Sequence, residues 1–210
     1  MIIFDFDGTL IDVWKRYYEI FKQWWKLDID MKTFKKLKWQ NQNEPEILKS
    51  LEVKFEKEDF SRYKMFKTQK LEEREFLSFD ELIIDPNYIL KIKDDYMILT
   101  MRKNVENFFW QLERFGLKDL FKKKCFVLTP KGIDTKLEWL ENAKDLDNNI
   151  TVVGDSETDL KMAELSGQNT KVNVYLVKTG LRDPYKIIQT FGLKASVIEN
   201  VNYFLQTKSL

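Results

Sequence analysis

The chain has 210 residues, 43% hydrophobic and 14% aromatic with only 7 glycines and 4 prolines, the make-up of an ordered globular protein. At this length roughly 70% of the unfolded surface can be buried, and 35 basic against 34 acidic residues leave a formal net charge of +1, with no global pull toward nucleic acid or an anionic membrane. Histidine is absent and Cys125 is the one cysteine, which excludes Ser-His and Cys-His catalysis, His-ligated metals and an intrachain disulfide.

Whatever chemistry occurs must therefore use carboxylates, lysines, hydroxyls or a hard metal. Met1 to Phe6 reads as a short strand buried on both faces, ending at Asp7-Gly8-Thr9, where glycine marks a sharp turn. Its apolar run, Ile2 to Phe4, meets Asp5 at once and is neither a signal peptide nor a membrane span, so a cytoplasmic protein is expected. From Asp12 to about Asp80 the pattern is helical. Trp14, Tyr17, Tyr18, Phe21, Trp24 and Trp25 recur at three- and four-residue steps, and further helices are predicted near Met31–Leu37, Glu44–Leu51 and Asp59–Phe76.

After Pro86 strands and helices alternate. Tyr96–Leu99 is a predicted strand leading to Thr100, followed by a helix over Asn104–Phe115 that Gly116 stops. Cys125–Leu128 reads as a buried strand, with Cys125 in the core, and Asp134–Leu146 as a helix. Ile150–Val153 is the next strand, reaching Gly154-Asp155, then a helix over Glu157–Leu165, a strand over Val172–Val177 and two short amphipathic segments. This alternation predicts an α/β fold, a Rossmann-like, mostly parallel sheet with helices on both faces. The helical block interrupts it, so a core domain of 1–11 and 81–210 is expected to carry a helical insertion over 12–80.

Four elements stand where strands end, the edge at which parallel sheets bind ligands. Asp5 and Asp7 are two residues apart on a strand and project to one face. At 4 Å two such charges repel by about 4 kcal/mol at an effective dielectric near 20, so they need a shared proton or a cation. Gly8 and Thr9 offer backbone N–H groups that could form an anion nest beside them. Asp155 ends a strand and Asp159 lies one helical turn on, an oxygen-rich pair suited to Mg²⁺. Thr100 is a strand-end hydroxyl with Met101 and Arg102 just beyond. The fourth element is a lysine near the start of the Asp134–Leu146 helix: Lys136, with Lys131 in the preceding Pro-Lys-Gly turn as the competitor.

Together these describe a phosphoryl-transfer site. Asp5 would attack phosphorus, Mg²⁺ held by Asp5, Asp155 and a backbone carbonyl would offset the negative charge, Thr100 and Lys136 would hold the transferring oxygens, and Asp7 would move the proton. The bland readings are a turn and a helix cap for Asp5 and Asp7, and a cap for Asp155.

In these motifs the chain resembles the haloacid dehalogenase-like hydrolase superfamily, specifically its phosphatases with a helical cap inserted after the first motif. Asp5-Phe6-Asp7-Gly8-Thr9 matches the first motif, Thr100 the second, Lys136 the third, and Gly154-Asp155 with Asp159 the fourth. The resemblance implies Asp5 as nucleophile and Asp7 as acid/base. It implies metal ligation by Asp5, the carbonyl of Asp7, and Asp155, with Asp159 acting directly or through water. Gly8, Thr9, Met101 and Arg102 are the candidate substrate contacts, and a small phosphorylated metabolite is the expected partner. Within the family, Asp7 argues against a dehalogenase, and Thr9 with the absence of histidine argues against a sugar-phosphate mutase. A phosphorylation-responsive or partner-binding protein is the competing class. In the insertion, Trp14, Trp24, Trp25 and Trp39 read either as its own core or as a stacking platform. Lys32, Lys35, Lys36 and Lys38 read as a solvated face or an anion-attracting run.

Overall fold

The computed structural model describes residues 1–40, 43–121, 124–143, 148–167 and 170–208. The chain opens with β1 (Ile2–Phe4) and a short β2 (Ile11–Asp12). Five helices follow: α1 (Trp14–Trp25), α2 (Met31–Gln40), α3 (Glu44–Ser50), α4 (Lys57–Lys70) and α5 (Arg74–Leu77). After β3 (Glu81–Leu82) and α6 (Pro86–Ile89) come β4 (Tyr96–Met101), α7 (Val105–Arg114), β5 (Cys125–Leu128) and α8 (Thr135–Asn142). The chain finishes with β6 (Asn149–Gly154), α9 (Glu157–Lys161), β7 (Lys171–Val177), α10 (Pro184–Phe191), β8 (Ser196–Ile198) and α11 (Val201–Lys208).

Six of these strands form one parallel sheet in the order β5-β4-β1-β6-β7-β8. β1 sits inside it, paired with β4 and β6, which is why its three residues are apolar without alternation. Ile2 and Phe4 pack into the layer holding Phe108, Leu112 and Phe204, whereas Ile3 packs into the opposite layer with Leu140, Leu160 and Ile187. Helices therefore cover both faces, and the chain's order reverses around β1. That places a crevice at the C-terminal ends of β1, β4 and β6.

β2 and β3 pair antiparallel, Ile11 with Leu82 and Asp12 with Glu81. The segment 13–80 thus leaves and rejoins the sheet through one two-stranded neck. Its helices enclose their own apolar cluster around Phe21, Phe34, Ile47, Leu48 and Tyr63. Trp24 and Trp25 stack against Tyr63 at 6.2 and 5.3 Å, each contact worth about 0.5–1.5 kcal/mol beyond simple burial. Trp14 belongs to the same cluster, its ring 6.2 Å from that of Phe34, and Trp39 packs at its edge. Their indole N–H groups donate to the carbonyls of Thr179 and Gly180, 2.9 and 3.3 Å away, and tie the helices to the loop after β7.

Several elements differ from expectation. The helix expected over Asp59–Phe76 is two, α4 and α5, and the break is stabilised because Arg16 donates to the Leu71 carbonyl (3.0 Å) and Asn107 to that of Glu72 (2.7 Å). The helix expected over Glu157–Leu165 tightens to a 3-10 turn at Met162–Leu165. β5 is an edge strand, so Cys125 is half-buried and Phe126 exposed against Trp139, instead of the closed core expected. The end of the helix predicted over Asp134–Leu146, residues 144–146, lies outside the described residues. β8, β2 and β3 are too short to show a period and were not anticipated. Among the described residues, no helix is long and apolar enough to cross a membrane.

Candidate active site

β1 hands directly to the site. The Asp5 N–H still donates to the Val153 carbonyl at 2.9 Å, extending the register with β6, while Phe6 plugs the core and Asp7 begins the turn. Gly8 has φ +76°, and a Cβ there would lie 2.4 Å from Asp155 Oδ2; Gly180 approaches the same side chain, its Cβ position 2.3 Å away. Asp155 is thus packed between two glycine backbones. Gly8 is required both for its conformation and for that approach.

One carboxylate oxygen from each of Asp5, Asp155 and Asp159 lies within 4.8 Å of the others. Into this group α8 projects Lys136, 99% buried, with Nζ 2.8 Å from Asp5 Oδ1 and 2.6 Å from Asp159 Oδ1. Lys131, the alternative, is exposed. Asp159 is held by its own helix start. Its Oδ2 accepts from the N–H groups of Asp155 (3.2 Å) and Ser156 (3.1 Å) and from Ser156 Oγ (2.6 Å), a reciprocal cap of α9.

Three carboxylates against one ammonium leave two negative charges in excess. Burial pushes the Asp5 carboxyl up to about 7, opposed by Lys136 and reinforced by Asp159. Burial, with Asp5 and Asp159 adding to it, raises Asp155 well above the usual carboxylate range. Burial alone would lower Lys136, but Asp159 and Asp5 outweigh it and hold the ammonium charged.

Asp7 has different company. Arg102 grips it with both arms, Nε to Oδ2 at 2.6 Å and Nη2 to Oδ1 at 2.8 Å, and Arg16 of α1 donates to Oδ1 as well. Arg16 Nε also faces Asp80 Oδ1 at 3.2 Å. Gln111 closes the ring, accepting from Arg102 (2.8 Å) and donating to Asp80 Oδ2 (2.7 Å). Burial would raise Asp7, yet the guanidiniums of Arg102 and Arg16 outweigh that and hold its carboxyl below the usual range.

A cleft of about 440 Å³ lies over these residues, of the size that suits a small ligand. Asp5, Asp7, Thr100, Met101, Lys136 and Asp155 line its sheet side, and Tyr17, Lys38 and Lys67 come from the inserted helices. A larger, more open hollow of about 840 Å³ beside Met65 and Val105 contains none of the motif carboxylates.

Four of the sequence-derived site residues lie behind the cleft wall. Asp159 organises Lys136 and the turn, as described. The N–H groups of Gly8 and Thr9 donate to the carbonyls of Ile11 (2.9 Å) and Phe6 (3.3 Å), so the turn consumes the donors expected to form an anion nest. Arg102 is buried with its fork on Asp7 and Gln111, not turned to the cleft. Sequence reasoning missed Arg16, Tyr17 and Lys67, whose positions on the inserted helices carry no mark of the site. Lys38 was visible only as part of a basic run.

The family described as haloacid dehalogenase-like hydrolase matches residues 2–177. The chain belongs to that family. No curated protein matches it. Among solved structures, this haloacid dehalogenase-like hydrolase is similar to a haloacid dehalogenase-like family hydrolase from Streptococcus pneumoniae, at 14% identity and TM-score 0.66, over 98% of this chain and 97% of that one. A HAD family hydrolase from Deinococcus radiodurans with bound phosphate and sodium gives 10% and 0.66, over 99% and 95% of the two chains. Protein tyrosine kinase A of Mycobacterium tuberculosis gives 15% and 0.69, over 100% and 97%. At these identities the likeness shows the fold, and the differing names of the relatives show that the fold alone does not name a substrate.

Proposed function

We propose that this hydrolase is a magnesium-dependent phosphatase acting on a small phosphate monoester through an aspartyl-phosphate on Asp5. The observation that supports this most is Lys136, buried between Asp5 and Asp159 and lining the same cleft as Asp155.

The residues present fit a divalent cation. The donor set is all oxygen, the cluster when fully ionised carries two excess negative charges, and among the described residues no hydrogen-bond donor or cation is paired with the Asp155 carboxylate. Asp5, Asp155 and the Asp7 carbonyl would hold the ion, with Asp159 supporting from behind. When bound, Mg²⁺ supplies the charge neutralisation that lets an anionic ester approach a carboxylate nucleophile.

An Asp5 oxygen attacks phosphorus and the bond from phosphorus to the ester oxygen breaks. Lys136 and Thr100 hold the phosphoryl oxygens, a contribution typically of about 10²–10³ in rate for one donor. Asp7 gives its proton to the leaving oxygen. It then takes one from the water that attacks phosphorus, breaks the bond to Asp5 and releases inorganic phosphate. As held here Asp7 is ionised, the state needed for the water step. Protonating the leaving oxygen requires Asp7 first to take up a proton from solvent, which needs the grip of Arg102, and that of Arg16 carried on α1, to loosen. For that reason we take the inserted helices 12–80 as a cap that shifts over the site during turnover, with residues 1–11 and 81–210 as the catalytic domain.

The test is phosphate release from a broad set of phosphate monoesters, with Mg²⁺ or with EDTA, by wild type and Asp5→Asn. Turnover that needs Mg²⁺ and is absent from the variant is expected. No turnover of any ester by folded wild-type protein would contradict the proposal.

A further inference from the structure

The cleft has a second charged wall that the proposed chemistry does not use. Lys38, on α2, is 93% buried, and its Nζ faces a single carboxylate, Glu44, at 3.4 Å. That carboxylate is already taken at 2.6 Å by Lys67 of α4, which also lies over the Tyr17 ring at 5.2 Å. Two ammonium groups thus share one buried glutamate, and both line the cleft opposite the motif carboxylates. Arg182, on the loop after β7, borders the same space but is neutralised by Glu157. One positive charge is left over.

Burying a lysine is costly unless it is fully paired. A role in packing alone is met more cheaply by a neutral side chain, since Lys67 already satisfies Glu44. Lys38 carries three donors, and among the described residues Glu44 is its only ion-pair partner. Burial, with Lys67 and Arg182 pressing in the same direction against Glu44, brings the Lys38 ammonium down to about 8. An incoming anion would relieve that strain. The opposite floor, two charges short of neutral, has the reverse requirement.

We infer that Lys38 and Lys67 form a subsite for a second anionic group, so that the substrate is a small phosphate monoester carrying a carboxylate or another phosphate at its far end. The phosphoryl group sits on the Asp5–Lys136 floor and the second anion against the lysine wall, and a cleft of about 440 Å³ limits the spacer to a few atoms. This inference rests on the phosphatase reading for the identity of the first group, but not for the existence of the second site.

The test therefore measures binding, using phosphonates whose carbon–phosphorus bond the proposed reaction does not cleave. Calorimetry on wild-type protein with Mg²⁺ compares alkylphosphonates of graded length ending in a methyl, a carboxylate or a second phosphonate. At the best length a terminal anion is expected to tighten binding by at least about tenfold, the effect of one charged hydrogen bond. Lys38→Gln and Lys67→Gln should each remove most of that gain. Neither strands Glu44, because the other lysine remains, so both should fold. The end group preferred identifies the source of the anion. No gain at any length, or a gain that survives both substitutions, overturns the inference. The expected gain in a protein that releases phosphate from no ester overturns the phosphatase reading and leaves the anion subsite in place.

Discussion

On the sheet side of the cleft, Asp5, Thr100 and Asp155 each stand at the end of a parallel strand, and the ladder linking β4, β1 and β6 sets their relative positions. On the helical side, Tyr17, Lys38 and Lys67 come from three different helices, placed only by the packing around Phe34 and Tyr63. The sheet side carries excess negative charge and the helical side excess positive charge. The difference teaches where each property is stored. In the proposed reading, chemistry that needs sub-ångström positioning sits on hydrogen-bonded register, and selectivity would sit on a unit that can be repacked without disturbing Asp5.

Substitutions on the two sides should differ in kind. Asp5→Asn is expected to lower turnover by at least about 10⁴-fold while the protein stays folded; steady-state kinetics with a circular-dichroism check would show it, and a loss under tenfold would remove the nucleophile from the sheet side. Lys136→Met should lower kcat by about 10²–10³. In EDTA it should also cost about 3–5 kcal/mol of stability, because it leaves Asp5, Asp155 and Asp159 without a cation. Urea titration with added Mg²⁺ should recover part of that loss, as an ion bound only by the folded state must.

Where the two sides meet, Arg16→Met strips a partner from both Asp7 and Asp80 and should cost about 3 kcal/mol in denaturant titration. Lys38→Gln, which leaves Glu44 paired with Lys67, should stay within about 1 kcal/mol. Equal costs would show that the helical side is as structural as the ring around Asp7. Asp80 also gives the junction a pH signature. Burial raises its carboxyl from 3.8 to about 7 despite Arg16, so the folded chain holds this proton more tightly than the unfolded chain. Its contribution is complete below pH 3.8 and is lost as pH rises to about 7, with a slope of at most about 1.4 kcal/mol per pH unit. Asp80→Asn should flatten that part of the stability–pH curve relative to wild type. The smallest effect belongs to Trp39→Phe, which removes one hydrogen bond to Gly180 and should cost about 1 kcal/mol.

Legibility from sequence divides along the same line. Asp5, Asp7, Thr100 and Asp155 are readable because a strand end followed by a turn fixes where a side chain points, and Lys136 because it opens a helix two strands away. The alternation of strands and helices gives the parallel sheet for the same reason. The helical segment is readable as helices but not as a surface. Trp14 and Trp24 look alike in a period of three and four, yet Trp14 is buried in the apolar cluster and also donates to a loop carbonyl, whereas Trp24 is only partly buried against that cluster. Lys32 and Lys38 look alike in a basic run, yet one is exposed and the other buried. Arg16 had no signal at all, since its partners Asp7 and Asp80 are brought to it only by the neck of β2 and β3. Nor could the motif reveal that Gly8 and Thr9 would spend their N–H groups inside the turn.

The measurement that bears most directly on the account is mass spectrometry of Asp7→Asn protein after brief exposure to acetyl phosphate and Mg²⁺. With the proton acceptor for water removed and a leaving group that needs no protonation, the account predicts a phosphoryl adduct on the peptide containing Asp5. The adduct should be absent in EDTA and in the Asp5→Asn, Asp7→Asn double variant. An adduct on another residue, or none while wild type turns over the same donor, would contradict it.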